Sequence, residues 1–148
     1  MNFRKLQEYI STLDDRIKEK VTLVGAAAGE CKEKVNIDVT GTPSSAIGTG
    51  TYAVDCAPLD DLLCDCVPTF IKMDIEGYEL KALAGAAKVI KQYNPILAVC
   101  VYHRPDHLWR IPLFIKSLSD QYRFFLRSHG QEGWDLVCYA VPIDRLNV

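Results

Sequence analysis

No stretch of this chain approaches the roughly 20 consecutive apolar residues that a bilayer-spanning helix needs. Its polar start, Met1-Asn-Phe-Arg-Lys5, also lacks the apolar segment of a signal peptide. A cytoplasmic protein with no membrane association is expected. Basic clusters are lacking too: the 17 lysines and arginines are scattered and the formal charge is −2. That leaves no footprint for nucleic acid or anionic lipid and favours a small or neutral substrate over a polyanion. Regular cysteine spacing is absent. The six cysteines fall at Cys31, Cys56, Cys64, Cys66, Cys100 and Cys138, and the last two sit inside apolar strand patterns, so reduced thiols are expected instead of a disulfide framework. Cys64-Asp-Cys66, with Cys56 upstream, lacks the two-residue spacer of common zinc knuckles and has no histidine close by, so no metal is assigned to it. There is no internal repeat and no dividing linker. At 148 residues and 49% apolar content, residues 1–148 read as one globular domain.

The apolar residues that are present change period along the chain in an orderly way. Phe3, Leu6, Tyr9, Ile10, Leu13 and Ile17 recur at helical spacing and predict an opening helix to about Lys18 or Lys20. Val21 to Val24, closed by Gly25-Ala-Ala-Ala-Gly29, reads as a buried strand ending in a small-residue turn. Val35, Ile37 and Val39 alternate with polar residues, Thr40 to Thr51 is a loop, and Tyr52 to Cys56 is a further strand candidate. Pro58-Leu-Asp-Asp61 has the proline and acids of a helix start. A strand over Phe70 to Ile75 then precedes a helix striped by Leu80, Leu83, Ala84, Ala87 and Ile90 that ends near Tyr93. Ile96 to Tyr102 is the near-continuous apolar run of a strand covered on both faces. A helix over about Asp106 to Leu118 carries Pro112 as a kink or break. Tyr122 to Arg127 and Trp134 to Val141 make a closing antiparallel hairpin. This order predicts an α/β fold with a mostly parallel sheet and an antiparallel finish.

Chemistry concentrates where the strand at Phe70 becomes a helix. The apolar run ends in Asp74, Glu76 and Glu79 around Gly77, at the carboxyl edge of a parallel sheet, where open α/β sheets bind ligands. Acids in a first helical turn also suit the helix dipole and capping, and Glu79 is assigned that structural role. His103 follows the next strand and falls on the same rim, a candidate general base. His103 and His107 have the separation of a helical zinc pair, but Pro105 between them argues against one continuous helix. Tyr102, Trp109 and Trp134 are candidate pocket walls or core, His129 is expected to face solvent, and Gly48-Thr-Gly50 reads as a turn.

The stretch Phe70-Ile-Lys-Met-Asp-Ile-Glu-Gly-Tyr-Glu-Leu-Lys-Ala-Leu-Ala-Gly-Ala86, followed by Val101-Tyr-His-Arg-Pro-Asp-His-Leu-Trp-Arg-Ile-Pro112, resembles the FkbM family of S-adenosylmethionine-dependent methyltransferases. Pro58-Leu-Asp-Asp61 matches as well. The resemblance implies a Rossmann-like methyltransferase fold and methyl transfer to a hydroxyl of a small molecule or sugar. On that reading Asp74 faces the cofactor's methyl and the acceptor, either as an acceptor-orienting base or as ligand to a hard divalent cation, with Glu76 as second carboxylate and His103 as base. Gly25, Ala26 and Ala27 would approach the adenine, although small residues also suit a tight turn.

The chain also departs from that pattern. Such methyltransferases begin with a strand, a glycine-rich loop for the methionine part of the cofactor, and a second strand ending in an acid for the ribose; neither element is found here. A partial, N-terminally truncated domain lacking the first two strands is expected, with weak cofactor binding. The alternatives are an inactive remnant or interaction module, self-associating through the exposed sheet edge, or a fragment of a split gene.

Overall fold

The computed structural model of the protein describes residues 2–37, 50–63, 65–131 and 135–146. It opens with helix α1 (Asn2–Ser11) and the short α2 (Asp15–Lys18), where a single helix was expected. The break has a local cause. Ser11 and Thr12 donate their hydroxyls to the carbonyls of Glu8 and Tyr9, and Asp14 accepts from the Arg16 amide as the cap of α2, so three side chains within four residues compete with the helical ladder. Residues 21–24 are not a strand. Val21 and Val24 stay exposed, and pairing begins only at β1 (Ala27–Ala28), which runs parallel to β3 (Tyr52–Ala57), while β2 (Glu33–Ile37) pairs antiparallel on its other side. Val39, most of the Thr40 to Thr51 loop and Gly48-Thr-Gly50 except its last residue lie outside the described residues.

A second, four-stranded sheet has the order β4-β5-β7-β6, from β4 (Phe70–Met73), β5 (Ile96–Cys100), β6 (Tyr122–Ser128) and β7 (Leu136–Pro142). Only β4 and β5 are parallel; β7 enters between β5 and β6 and is antiparallel to both. The expected mostly parallel sheet is therefore corrected to two mixed sheets, while the closing hairpin stands. The hairpin adds beside β5, as expected at the sheet edge, and because β7 pairs antiparallel with β5 from Leu97 to Cys100 and with β6, antiparallel pairs outnumber the one parallel pair of this sheet.

Helices α4 (Glu79–Ala84), α5 (Ala87–Tyr93) and α6 (His107–Leu118) cover one face of this sheet. Leu83, Ile90, Ile111 and Ile115 are fully buried against Ile71, Met73, Leu97, Val99, Cys138 and Ala140. Each large aliphatic side chain so buried contributes roughly 1.5–3 kcal/mol. The opposite face holds a smaller cluster of Ala98, Cys100 and Val137 with Tyr102 and Tyr139, to which no helix contributes. Strand β5 is thus covered on both sides, as its unbroken apolar run requires.

Two helical expectations are corrected by particular contacts. The helix expected over Leu80 to Tyr93 divides at Gly85, whose missing side chain admits the Gly29 carbonyl. There Asp60 of the short α3 (Leu59–Leu62) donates its amide to the Gly85 carbonyl and accepts from the Lys88 and Val89 amides at 3.1 and 2.9 Å. A carboxylate 28 residues away in sequence caps α5. Helix α6, by contrast, runs unbroken through Pro112. The carbonyl that Pro112 leaves without its donor belongs to Leu108, which is exposed, so water can serve it, while Ile111 and Ile115 hold the helix to the core.

Candidate functional site

Strands β4 and β5 are parallel neighbours in register from Phe70↔Ile96 to Met73↔Val99, so the segments that leave them share one rim. From β4 the chain turns sharply through residues 74–78. Glu76 has φ of 56° and Gly77 φ of 94°, the left-handed region that a glutamate occupies only at a cost. The turn is held by the side chain that follows it. Glu79 is fully buried at the start of α4, and its Oε1 accepts from the amides of Ile75 (3.1 Å) and Gly77 (3.4 Å). The same oxygen lies 2.8 Å from His103 Nδ1, and its Oε2 is 3.2 Å from Nδ1 of the buried His107, though out of line for a hydrogen bond.

His103 leaves β5 three residues after Cys100, and only 7% of its side chain is exposed. Its free Nε2 points between two carboxylates, 3.5 Å from Asp74 Oδ1 and 3.6 Å from Glu76 Oε2, with no hydrogen-bond partner. Burial works to raise the Asp74 carboxyl, but hydrogen bonds from Lys72 and Cys100 and the nearby charge of Lys72 outweigh it, holding Asp74 below the ordinary carboxylate range. The donors to Asp74 are therefore protonated groups around an anion. Tyr102 Oη donates to Oδ1 at 3.3 Å and Lys72 Nζ to Oδ2 at 3.2 Å. Burial, reinforced by the Asp74 charge, pushes both the Cys100 thiol and the Tyr102 phenol up to about 12. Burial acts on His107 in the opposite sense for a base, lowering it and keeping it neutral.

Asp74 also borders a cavity of about 320 Å³ on the helix-free face, lined by Phe70, Lys72, Cys100, Val137 and Tyr139 among others. Asp74, Glu76 and His103 are thus brought together as the sequence suggested. Gly25, Ala26 and Ala27 are not. The ring of Phe3 covers Gly25, with 3.4 Å between its Cζ and where a Cβ would stand, and Ala27 is a strand residue opposite Cys56. Trp109 is exposed on α6, Trp134 lies outside the described residues, and the exposed His129 contacts the Tyr139 hydroxyl through Nε2 at 2.9 Å. Among the described residues no group of three or more His, Cys, Asp or Glu is arranged to hold a metal ion. Cys31, Cys56, Cys66, Cys100 and Cys138 are free thiols, with Cys64 undescribed.

Sequence reasoning gave Glu79 a capping role and His107 none. The signal for both was spacing across two strands: an acid opening the helix after one parallel strand, and two histidines four apart opening the helix after the next.

Residues 10–132 match the family profile described as the methyltransferase FkbM domain. The chain belongs to the FkbM methyltransferase family. Every residue of the acidic rim falls inside that match, which ends before β7. The crystal structure of methyltransferase FkbM from Methylobacillus flagellatus KT is similar over 94% of this chain, with 34% sequence identity and a TM-score of 0.78. The chain spans 33% of that FkbM protein's length. No curated protein matches it. No described helix is long and apolar enough to cross a membrane.

Proposed function

We propose that this FkbM domain supports S-adenosylmethionine-dependent O-methylation of a small-molecule or carbohydrate hydroxyl in the cytoplasm, with His103, Asp74 and Glu76 at the reacting edge. The observation that carries the reading is His103 Nε2, buried, without a partner, and set between two carboxylates. A buried lone pair of this kind calls for a donor, and an acceptor hydroxyl supplies one. The cofactor, when bound, contributes a methyl group on a cationic sulfonium. An anionic Asp74 beside Glu76 suits that charge, and Tyr102, Cys100 and Lys72 keep Asp74 oriented by donating to it. The adenine side does not fit as expected, since Phe3 already fills the face of Gly25. Of the four residues assigned to the cofactor, Asp74 alone sits at the rim.

The chemistry then asks little of the protein beyond geometry and one proton. His103 takes the hydroxyl proton as the acceptor oxygen attacks, and Asp74 and Glu76 offset the resulting imidazolium. The test is release of S-adenosylhomocysteine by the 148-residue chain at millimolar S-adenosylmethionine, across a panel of sugars and small alcohols, for wild type and His103→Gln. Turnover by the wild type that falls at least ~100-fold in the variant supports the assignment. Equal rates in both would sink it.

A second reading draws on a different feature. Phe70 and Phe125, 54% and 49% exposed, lie on the sheet face to which no described helix contributes, and β4 forms one of the two edges of that sheet among the described residues. An open edge of this kind recruits another strand, so an interaction module that self-associates is the alternative. Sedimentation of wild type and Phe70→Lys separates the two: a monomer at all concentrations removes the second reading.

A further inference from the structure

We propose that Glu79 is a positioning residue that holds His103 as its Nδ1–H tautomer, so that Nε2 faces the rim as a proton acceptor. The purpose of this arrangement rests on the methyl-transfer reading above; its geometry does not.

The tautomer follows from counting donors. Glu79 Oε1 accepts two main-chain N–H groups, from Ile75 and Gly77, and a carboxylate oxygen already serving as an acceptor is an acceptor toward His103 as well. The hydrogen in the 2.8 Å contact therefore sits on Nδ1. In a neutral imidazole that leaves the lone pair on Nε2. Asp74 Oδ1 and Glu76 Oε2, at 3.5 and 3.6 Å, are acceptors and cannot fill it. Among the described residues Nε2 has no hydrogen-bond partner and is flanked by groups that welcome a positive charge, the arrangement a general base needs.

A helix cap alone would not require these features. Capping uses an exposed oxygen at a helix start, whereas Glu79 is fully buried and bonds backward into the turn that precedes its helix. That turn carries the left-handed Glu76, so the contacts that place Glu76 beside His103 also support a strained backbone. Oε2 remains without a hydrogen bond, facing His107. The groups around His103 are Asp74 and Glu76 from the β4 turn, Glu79 from α4 and the ring of Tyr102 at 4.1 Å, with His107 of α6 on the other oxygen of Glu79, Lys72 paired to Asp74 and Arg104 against Gly77.

A bound sulfonium donor would supply the methyl group and keep the electron pair of the bond it gives up, so what falls to this chain is the proton of the acceptor hydroxyl. The hydroxyl proton passes to Nε2, and the imidazolium later returns it to water through the partly exposed Asp74. Throughout, Nδ1–H stays on Glu79.

The test is a long-range ¹H–¹⁵N NMR spectrum of the His103 ring in the 148-residue chain without cofactor, for wild type and Glu79→Gln. The wild type is expected to show Nδ1 protonated and Nε2 bare in the neutral ring. Glutamine keeps an Oε1 acceptor for the Ile75 and Gly77 amides and for Nδ1–H, so Glu79→Gln should retain the tautomer. An Nε2–H tautomer in the wild type overturns the proposal without any variant, and a switch to the Nε2–H tautomer in a folded Glu79→Gln overturns it too. A chain with the expected tautomer but no methyl transfer to any acceptor would defeat the methyltransferase reading and leave the positioning role intact.

Discussion

Replacing Asp60 by alanine tests whether a distant carboxylate, and not local propensity, divides the helix after Glu79. Its two oxygens accept from the Lys88 and Val89 amides at 3.1 and 2.9 Å. Both amides belong to the first turn of α5, which has no cap from its own segment. Loss of an N-cap costs roughly 0.5–2 kcal/mol, and a charge-assisted bond to a half-buried amide lies at the upper end, so about 2 kcal/mol is expected. With an unfolding entropy of about 2.1 cal/mol/K per residue, a chain of this length should lose roughly 6 °C in Tm. Asp61 is the built-in control. It shares the acidic pair but makes only an exposed 2.9 Å ion pair with Lys32, worth about 0–1 kcal/mol. Thermal melts followed by circular dichroism should therefore place Asp61→Ala within about 3 °C of wild type. Asp60→Asn, with one acceptor oxygen left, should fall between. Equal melting of Asp60→Ala and Asp61→Ala would refute the reasoning and return the helix break to Gly85 alone.

Gly85→Ala should cost more than about 3 kcal/mol despite alanine's better helix propensity, because its Cβ meets the backbone carbonyl of Gly29 and nothing flexible can yield. Denaturant titration of the purified variant measures this, and a stability within 1 kcal/mol of wild type would contradict the packing. Gly29→Ala differs in kind: its Cβ meets the Cys56 sulfur, so Cys56→Ala should rescue it but leave Gly85→Ala unimproved, a double-mutant cycle with strong coupling in one arm only. Acid should destabilise in two steps. His107 is depressed in the fold, chiefly by burial, so the unfolded chain binds its proton more readily; that stability is whole above about pH 6.5 and is lost as pH falls through the lower folded value. Asp74 is also held low, and its contribution is present above about pH 3.9 and lost further into acid. Melting from pH 8 to 5 should show the first step in wild type and not in His107→Gln.

Much of this was legible because it depends on local pattern. The unbroken apolar run of β5 announced burial on both faces, the alternation in β6 and β7 announced a hairpin, and an acid after β4 with a histidine after β5 announced a shared rim. The failures lie where a distant partner decides. Nothing between Leu80 and Tyr93 reveals that Asp60 will cap residues 88 and 89, so a continuous stripe read as a continuous helix. Pro112 misled in the opposite direction: its own segment predicts a kink or break, but the burial of Ile111 and Ile115 holds the helix together. The strand assigned to residues 21–24 had the composition of a buried strand and no neighbour to pair with among the described residues.

Glu79 is the most informative of these positions, because the same residue at the same place in a helix has two meanings that sequence cannot separate. An acid in the first turn stabilises the helix dipole wherever it stands. What changes its meaning is the parallel pairing of β4 with β5, which brings His103 and His107 to the same carboxylate. A glutamate serving only its own helix would remain solvated and would be replaceable by aspartate or serine at little cost. A buried one that also braces a left-handed turn and orients an imidazole admits neither, since the shorter side chains cannot span from α4 to Nδ1 of His103. Fold and chemistry therefore constrain this position together: the turn that sets Asp74 and Glu76 at the rim closes on the same oxygen that turns His103 toward them.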